Sequence, residues 1–127
     1  MDELYQEFII ELYKNPINFG TINNPDHVAE IYNHTCGDMI ILYLKFDNGK
    51  VVDAKFTGKG CAISQASASL FTEYLKDKNL DNLKKITKDD ALKLLKIDLS
   101  KNPSRMKCAL LPFEVLKKAI KLDNSQK

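Results

Sequence analysis

The run MIILYLKFDNGKVVDAKFTGKGCAISQASASL, Met39–Leu70, changes its period half-way and so sets the fold class. Met39 to Phe46 and Val51 to Thr57 are rich in β-branched and aromatic residues, the composition of strands. Between them lies Asp47-Asn48-Gly49, and Asn-Gly is the strongest short hairpin signal because both residues tolerate positive φ. From Ser64 the spacing becomes helical: Ala66, Leu70, Phe71, Tyr74 and Leu75 form an apolar face that runs to about Asp77. The front of that helix, Ala62 to Ser69, is almost all Ala and Ser, which permits close approach of a neighbouring backbone. A hairpin that feeds straight into a helix predicts an α+β fold.

Working outward, Val28 to Tyr32 alternates Val28, Glu30 and Tyr32 against Ala29 and Ile31, a third strand. The three strands read most economically as an antiparallel meander packed by helices. Residues 2 to 13 place Leu4, Tyr5, Phe8, Ile9, Leu12 and Tyr13 at helical spacing, and Asn15-Pro16 ends that helix. Asn18-Phe19-Gly20 and Asn23-Asn24-Pro25-Asp26 make a polar, turn-rich connector. Further on, a short helix is predicted over Thr87 to Lys96, with Thr87 as N-cap and Asp90 at the third helical position. A final helix is predicted over 109–122, with Phe113, Leu116, Ala119 and Ile120 inward. Proline is tolerated in a helix's first turn, so Pro112 places Cys108 at that helix's start. The expectation is one domain over residues 1–127, with 123–127 a fraying tail.

Composition removes several classes. A chain of 127 residues buries roughly two-thirds of its unfolded surface, so a core is possible without staples. Three cysteines, Cys36, Cys61 and Cys108, are an odd number, so a fully paired disulfide framework is excluded. The acidic start, Met1-Asp2-Glu3-Leu4, has neither the basic nor the apolar region of a secretory signal. The longest clean apolar run, Met39 to Leu44, falls far short of the ~20 residues that cross a bilayer, so no membrane association is expected. Net charge is +2 with acids and bases interleaved, which gives no basis for nucleic acid binding. A reducing cytoplasm, where thiols persist, is the expected compartment.

All three cysteines map to the ends of elements. Cys61 follows Thr57-Gly58-Lys59-Gly60, where two glycines permit a tight turn. There a helix N-terminus favours the thiolate, which is both metal ligand and sulfur nucleophile. Lys59 faces solvent in this reading and adds to the positive field. Cys36 lies in Asn33-His34-Thr35-Cys36-Gly37-Asp38, and if the loop curls, Cys36 and Asp38 point at one centre. Three thiolates and one carboxylate would satisfy a tetrahedral zinc or an iron–sulfur cluster. Three unrelated buried thiols fit the same spacing, since no CxxC pair exists. All 19 basic residues but Arg105 are lysine, and an arginine three positions before Cys108 hints at a bidentate or persulfide-stabilising contact. His34 reads as an exposed loop histidine, and Lys117, Lys118 and Lys121 as a solvated face.

Asn33-x-Thr35-Cys36-Gly37-Asp38 and Phe56-Thr57-Gly58-Lys59-Gly60-Cys61-Ala62-Ile63-Ser64-Gln65-Ala66-Ser67-Ala68-Ser69 closely resemble the signatures of the IscU/SufU (NifU N-terminal-like) iron–sulfur assembly family. Asn15-Pro16-x-Asn18-x-Gly20 and Lys107-Cys108-Ala109-x-Leu111 resemble its N-terminal and third-cysteine segments. The resemblance implies a fold of three antiparallel strands packed by helices. It also implies Cys36, Cys61 and Cys108 as sulfur ligands and Asp38 as the carboxylate ligand. Sulfur would arrive as persulfide from a cysteine desulfurase, SufS-like or IscS-like; if the chain acts as a sulfurtransferase, Cys36, on the loop with Asp38, is the candidate acceptor thiol. A nascent, transient [2Fe–2S] cluster would be built and passed to apo iron–sulfur proteins, or zinc or iron would occupy the site.

Within that family two branches are open, and the residues beside Cys108 favour the SufU-like one. The IscU branch resembled here carries a histidine before its third cysteine and a Leu-Pro-Pro-Val-Lys motif upstream. This chain has Lys107 and Asn102-Pro103-Ser104-Arg105-Met106, so reliance on a dedicated Hsp70 is not expected. Arg105-x-Lys107-Cys108 is similar to the SufU branch, a zinc-dependent sulfur acceptor, although Asp77 to Asn102 is short for that branch. Three functions follow: a cluster scaffold, a sulfurtransferase component working by zinc–thiolate ligand exchange, or a structural zinc domain. Asp38 argues against the last, because closed structural sites favour Cys and His.

Overall fold

The computed structural model describes residues 3–34, 37–96 and 98–125, with side chains described for 6–34, 37–96 and 98–121. Helix α1 (Glu3–Lys14) leads through a connector to strands β1 (His27–Tyr32), β2 (Met39–Asp47) and β3 (Lys50–Lys59). Helices α2 (Ala62–Leu75), α3 (Leu80–Lys84), α4 (Lys88–Leu95) and α5 (Pro103–Ser125) follow. The strands form one antiparallel sheet in the order β1-β2-β3, with Leu42 opposite both Ala29 and Phe56. This is the predicted α+β meander. Asn48 and Gly49 turn the β2–β3 hairpin at φ 52° and 79°, the positive values that their chemistry tolerates.

Ile40, Leu42 and Leu44 of β2 with Val51, Ala54 and Phe56 of β3 bury one face of the sheet against α2 and α5. Helix α2 is buried from Ile63 through Ser69, which is why its front is small: Ala66 and Ala68 leave room for neighbours on both sides. The connector is better built than its polar composition predicts. Gly20 N–H donates to the Phe56 carbonyl and Phe56 N–H to the Asn18 carbonyl, so residues 18–20 run along β3. The Asn18 side chain donates to Thr72 Oγ1 at 3.1 Å and accepts from Lys76 Nζ at 2.9 Å. That clamp fastens the Asn15-Pro16-x-Asn18 segment to α2.

Two sequence expectations need correction, and one short helix carries no periodic signal. The last helix begins at Pro103, not near 109, so Cys108 lies more than a turn inside it. Pro103 occupies the first helical position, where proline is well placed, and Asn102 Oδ1 caps the turn by accepting from Arg105 N–H at 3.2 Å. Pro112 is therefore an interior proline. Helix α5 also continues to Ser125, through part of the expected tail. The five-residue α3 escaped periodicity; its Asn79 and Asn82 cap each other reciprocally. Finally, α1 buries Ile9 and Leu12 but leaves Phe8 and Tyr13, which the sequence places on the same face, 42% and 50% exposed. The cap of α4 is as predicted, with Thr87 Oγ1 and Asp90 Oδ2 each accepting from the other's backbone N–H.

Candidate metal centre

Asp38, Cys61 and Cys108 converge from three separate elements. Their ligand atoms all lie within 4.8 Å of one another. Each reaches the site for a local reason. Asp38 closes the loop ahead of β2: Gly37 N–H donates to the Asn33 carbonyl and Asn33 N–H to the Asp38 carbonyl, both at 2.7 Å. Gly37 has φ 78°, a conformation that glycine adopts without strain, so the loop does curl at its described ends. Cys61 is the N-cap of α2, with extended backbone and no side-chain cap bond, which leaves its sulfur to face the other two groups. The helix's exposed amides and dipole favour negative charge there.

Cys108 is held differently from the prediction. It comes from the interior of α5 and is buried, so a helix start supplies no positive field to its sulfur. Pro112 has no N–H to offer the carbonyl four residues before it, which is that of Cys108. Next along, the Ala109 carbonyl accepts from Ser67 Oγ of α2 at 2.6 Å. That bond fixes the Cys108 turn of α5 against the helix that Cys61 begins.

The donor set fits a metal. Asp38 is 4% exposed and its Oδ2 makes no hydrogen bond among the described residues. An unpartnered carboxylate oxygen out of water is expensive unless a cation answers it. Zinc with sulfur ligands at about 2.3 Å and oxygen at about 2.0–2.2 Å needs ligand atoms some 3.5–3.8 Å apart, a small contraction of the observed cluster. Two sulfurs and one oxygen fill three of four tetrahedral positions. Cys36, expected as the fourth, lies outside the described residues.

The remaining candidates stand apart. Lys59 ends β3 and is exposed. Arg105 is also exposed and lines a groove of about 390 Å³ with Ile9, Ile10, Ala62, Ile63 and Leu99, beside Cys61. His34 is exposed as expected, with its ring 4.7 Å from that of Tyr32. Lys117 and Lys118 are less free than a solvated face implies, since their ammonium groups donate to the carbonyls of Lys84 and Glu30. Sequence reasoning missed Ser67 and Ser64, two buried hydroxyls of α2. Ser64 Oγ donates to the Cys61 carbonyl at 3.1 Å. The Ala/Ser-rich front of the helix, with serines at 64, 67 and 69, was the only signal for them.

Residues 4–126 match the NifU-like N-terminal domain. The chain belongs to that family. Among curated NifU-like relatives, it is 39% identical to the zinc-dependent sulfurtransferase SufU of Bacillus subtilis, over 94% of this chain and 91% of that one. It is 35% identical to the iron–sulfur cluster assembly scaffold protein IscU of Escherichia coli, over 91% of each. Its fold superposes on a crystal structure described as an iron–sulfur cluster assembly scaffold protein for the SUF system from Fervidobacterium islandicum. There the TM-score is 0.75 and the identity 34%, over 92% of this chain and 96% of that one. The N-terminal part of a NifU-like protein from Brucella abortus shares the fold at TM-score 0.81 and 24% identity, over 99% and 98% of the two chains. The NifU-like chain thus has relatives in both the IscU and SufU groups, and no helix among its described residues is long and apolar enough to cross a membrane.

Proposed function

We propose that this chain, as one domain over 1–127, is an iron–sulfur cluster assembly protein whose site is Cys36, Asp38, Cys61 and Cys108. The observation that carries the reading is the buried Asp38 Oδ2, without a hydrogen bond, beside two cysteine sulfurs drawn from α2 and α5. Zinc at this site would hold the cysteines as thiolates at neutral pH. A [2Fe–2S] cluster would be cargo, assembled on the same ligands and released to apo iron–sulfur proteins. Carboxylate is a harder partner than thiolate, so Asp38 lowers the site's grip on soft cargo. A protein meant to keep its cluster gains nothing from that exchange.

Sulfur would come from a cysteine desulfurase as a persulfide. The Cys36 thiolate attacks its outer sulfur, the sulfur–sulfur bond breaks, and the desulfurase cysteine leaves as thiolate. Cys36 then carries the persulfide. Arg105, exposed in the groove that Ala62 and Ile63 also line, and Lys59, exposed two residues before Cys61, would steer the incoming anion. The likeness to the SufU relative favours a second reading, in which the chain passes sulfur on and holds zinc alone. The reducing cytoplasm suits either role.

Anaerobic reconstitution with iron, cysteine and a cysteine desulfurase, with and without zinc, separates the two. A visible cluster that moves to an apo-ferredoxin supports the scaffold. Stimulation of desulfurase turnover by zinc-loaded protein alone, with no cluster, supports the sulfurtransferase. If neither occurs and zinc proves essential for folding, the site is structural.

A further inference from the structure

Gly60 sits between the end of β3 and Cys61, where glycine reads as a turn residue. The backbone does not require it. Gly20, Gly37, Gly49 and Gly58 adopt positive φ from 78° to 147°, whereas Gly60 lies outside that region and any residue could take its conformation. What excludes a side chain is space. A Cβ at Gly60 would lie 2.5 Å from Ser64 Oγ, 2.7 Å from Asp38 Cγ and 2.8 Å from Asp38 Oδ1. These are far inside van der Waals contact, and two of the three atoms belong to the carboxylate of the candidate site.

We propose that Gly60 determines the donor set: the volume of its missing side chain is the volume that admits the Asp38 carboxylate. This rests on the metal-site reading above. An alanine methyl would strike both the Ser64 hydroxyl and the carboxylate, and the less firmly held of the two moves further. Ser64 is fully buried and held by its bond to the Cys61 carbonyl. Asp38 Oδ2 has no hydrogen bond to hold it, so the carboxylate is the group that yields. Gly60→Ala therefore removes the oxygen ligand without touching a ligand residue and leaves a site of thiolates alone. Gly60 is a positioning residue that acts through Asp38.

The test uses the full chain in four forms: wild type, G60A, D38A and G60A/D38A, titrated with zinc and with cobalt as a spectroscopic probe. In G60A, zinc affinity should fall on the order of 10- to 100-fold, the usual cost of losing a ligand's support. Its cobalt absorption spectrum should coincide with that of D38A, and the double variant should add nothing further. A wild-type spectrum in G60A, or losses that multiply in the double variant, would overturn the inference. Recovery of the wild-type spectrum in G60A/S64A would overturn it too, since the clash with Ser64 would then be the one that matters. Urea unfolding of the metal-free proteins gives an independent reading: Gly60→Ala should cost less stability in the D38A background than in wild type, and equal cost counts against the idea. If G60A fails to fold, G60A/D38A must fold as D38A does, and its failure would also overturn the proposal. Wild-type protein that takes up neither ion refutes the metal reading and this inference together, whereas wild-type uptake with an unchanged G60A refutes the inference only.

Discussion

The Ser67 hydroxyl donates to the Ala109 carbonyl across 2.6 Å, joining α2 to α5 one residue beyond Cys108. Both partners are buried, so neither has water as an alternative. Ser67→Ala leaves that carbonyl without its donor, and a buried unsatisfied group costs about 1–3 kcal/mol. Urea unfolding of metal-free protein should show that loss, and zinc should bind more weakly because the Cys61–Cys108 pairing loosens. An unchanged midpoint would show that the bond carries no stability.

Cys61→Ser and Cys108→Ser should each abolish the sulfur-to-cobalt charge-transfer absorption or strongly reduce it. Arg105→Ala and Lys59→Ala should leave it unchanged, because both residues lie outside the ligand cluster. Their loss should instead slow sulfur acceptance in a desulfurase assay. Weakened cobalt binding in R105A would place the guanidinium in direct support of the metal.

The two glycines before Cys61 should behave differently in metal-free protein. Gly58 has φ 147° and a Cβ there would fall 2.0 Å from the Met39 carbonyl oxygen, a backbone atom of the paired strand. Gly58→Ala should therefore cost upwards of about 3 kcal/mol, through strain and a clash that no rotamer relieves. Gly60→Ala, which meets only side-chain ends, should cost less. Equal destabilisation in urea would contradict this.

Gln65 is 6% exposed and its Nε2 makes no hydrogen bond. Methionine has a similar shape and no amide to leave unpaired. Gln65→Met should raise stability by about 1 kcal/mol, read as a higher urea midpoint at constant slope. A lower midpoint would mean that the amide finds a partner in solution.

The α4 cap makes stability sensitive to acid. The Thr87 backbone N–H, bonded to the Asp90 carboxylate, holds Asp90 below the usual aspartate range. A carboxyl depressed on folding binds more protons when unfolded, so its contribution is present above the ordinary aspartate pKa and lost as pH falls through the folded value. Asp90→Asn should lower the urea midpoint at neutral pH, and the gap from wild type should close in acid. A gap that persists in acid would show that charge is not its source. Thr87→Ala, which also removes a side-chain bond that holds the Asp90 carboxylate down, should cost about 1 kcal/mol at neutral pH and less in acid.

Much of this protein is local and hence legible in its sequence. Asn48-Gly49 makes its hairpin, Thr87 and Asp90 make their cap, and the strand-to-helix seam at Cys61 falls where the period changes, because the partners in each case are chain neighbours. The types of residue at the site, two cysteines and Asp38, were equally plain, and the motif around Cys61 pointed to their family. Tertiary structure decided the rest. Two prolines compete to start α5, and the interior cost of Pro112, about 3 kcal/mol, is outweighed only by what the longer helix buries. The added turns bring Cys108 into the cluster with Ile9, Leu12 and Leu95 and pack Met106 against the sheet core, contacts with segments far away in the chain. So Cys108 reaches the site from inside a helix, and Gly60 is small because a carboxylate 22 positions earlier needs its space. Sequence spacing records chain connectivity, while excluded volume between distant segments exists only once the chain has folded.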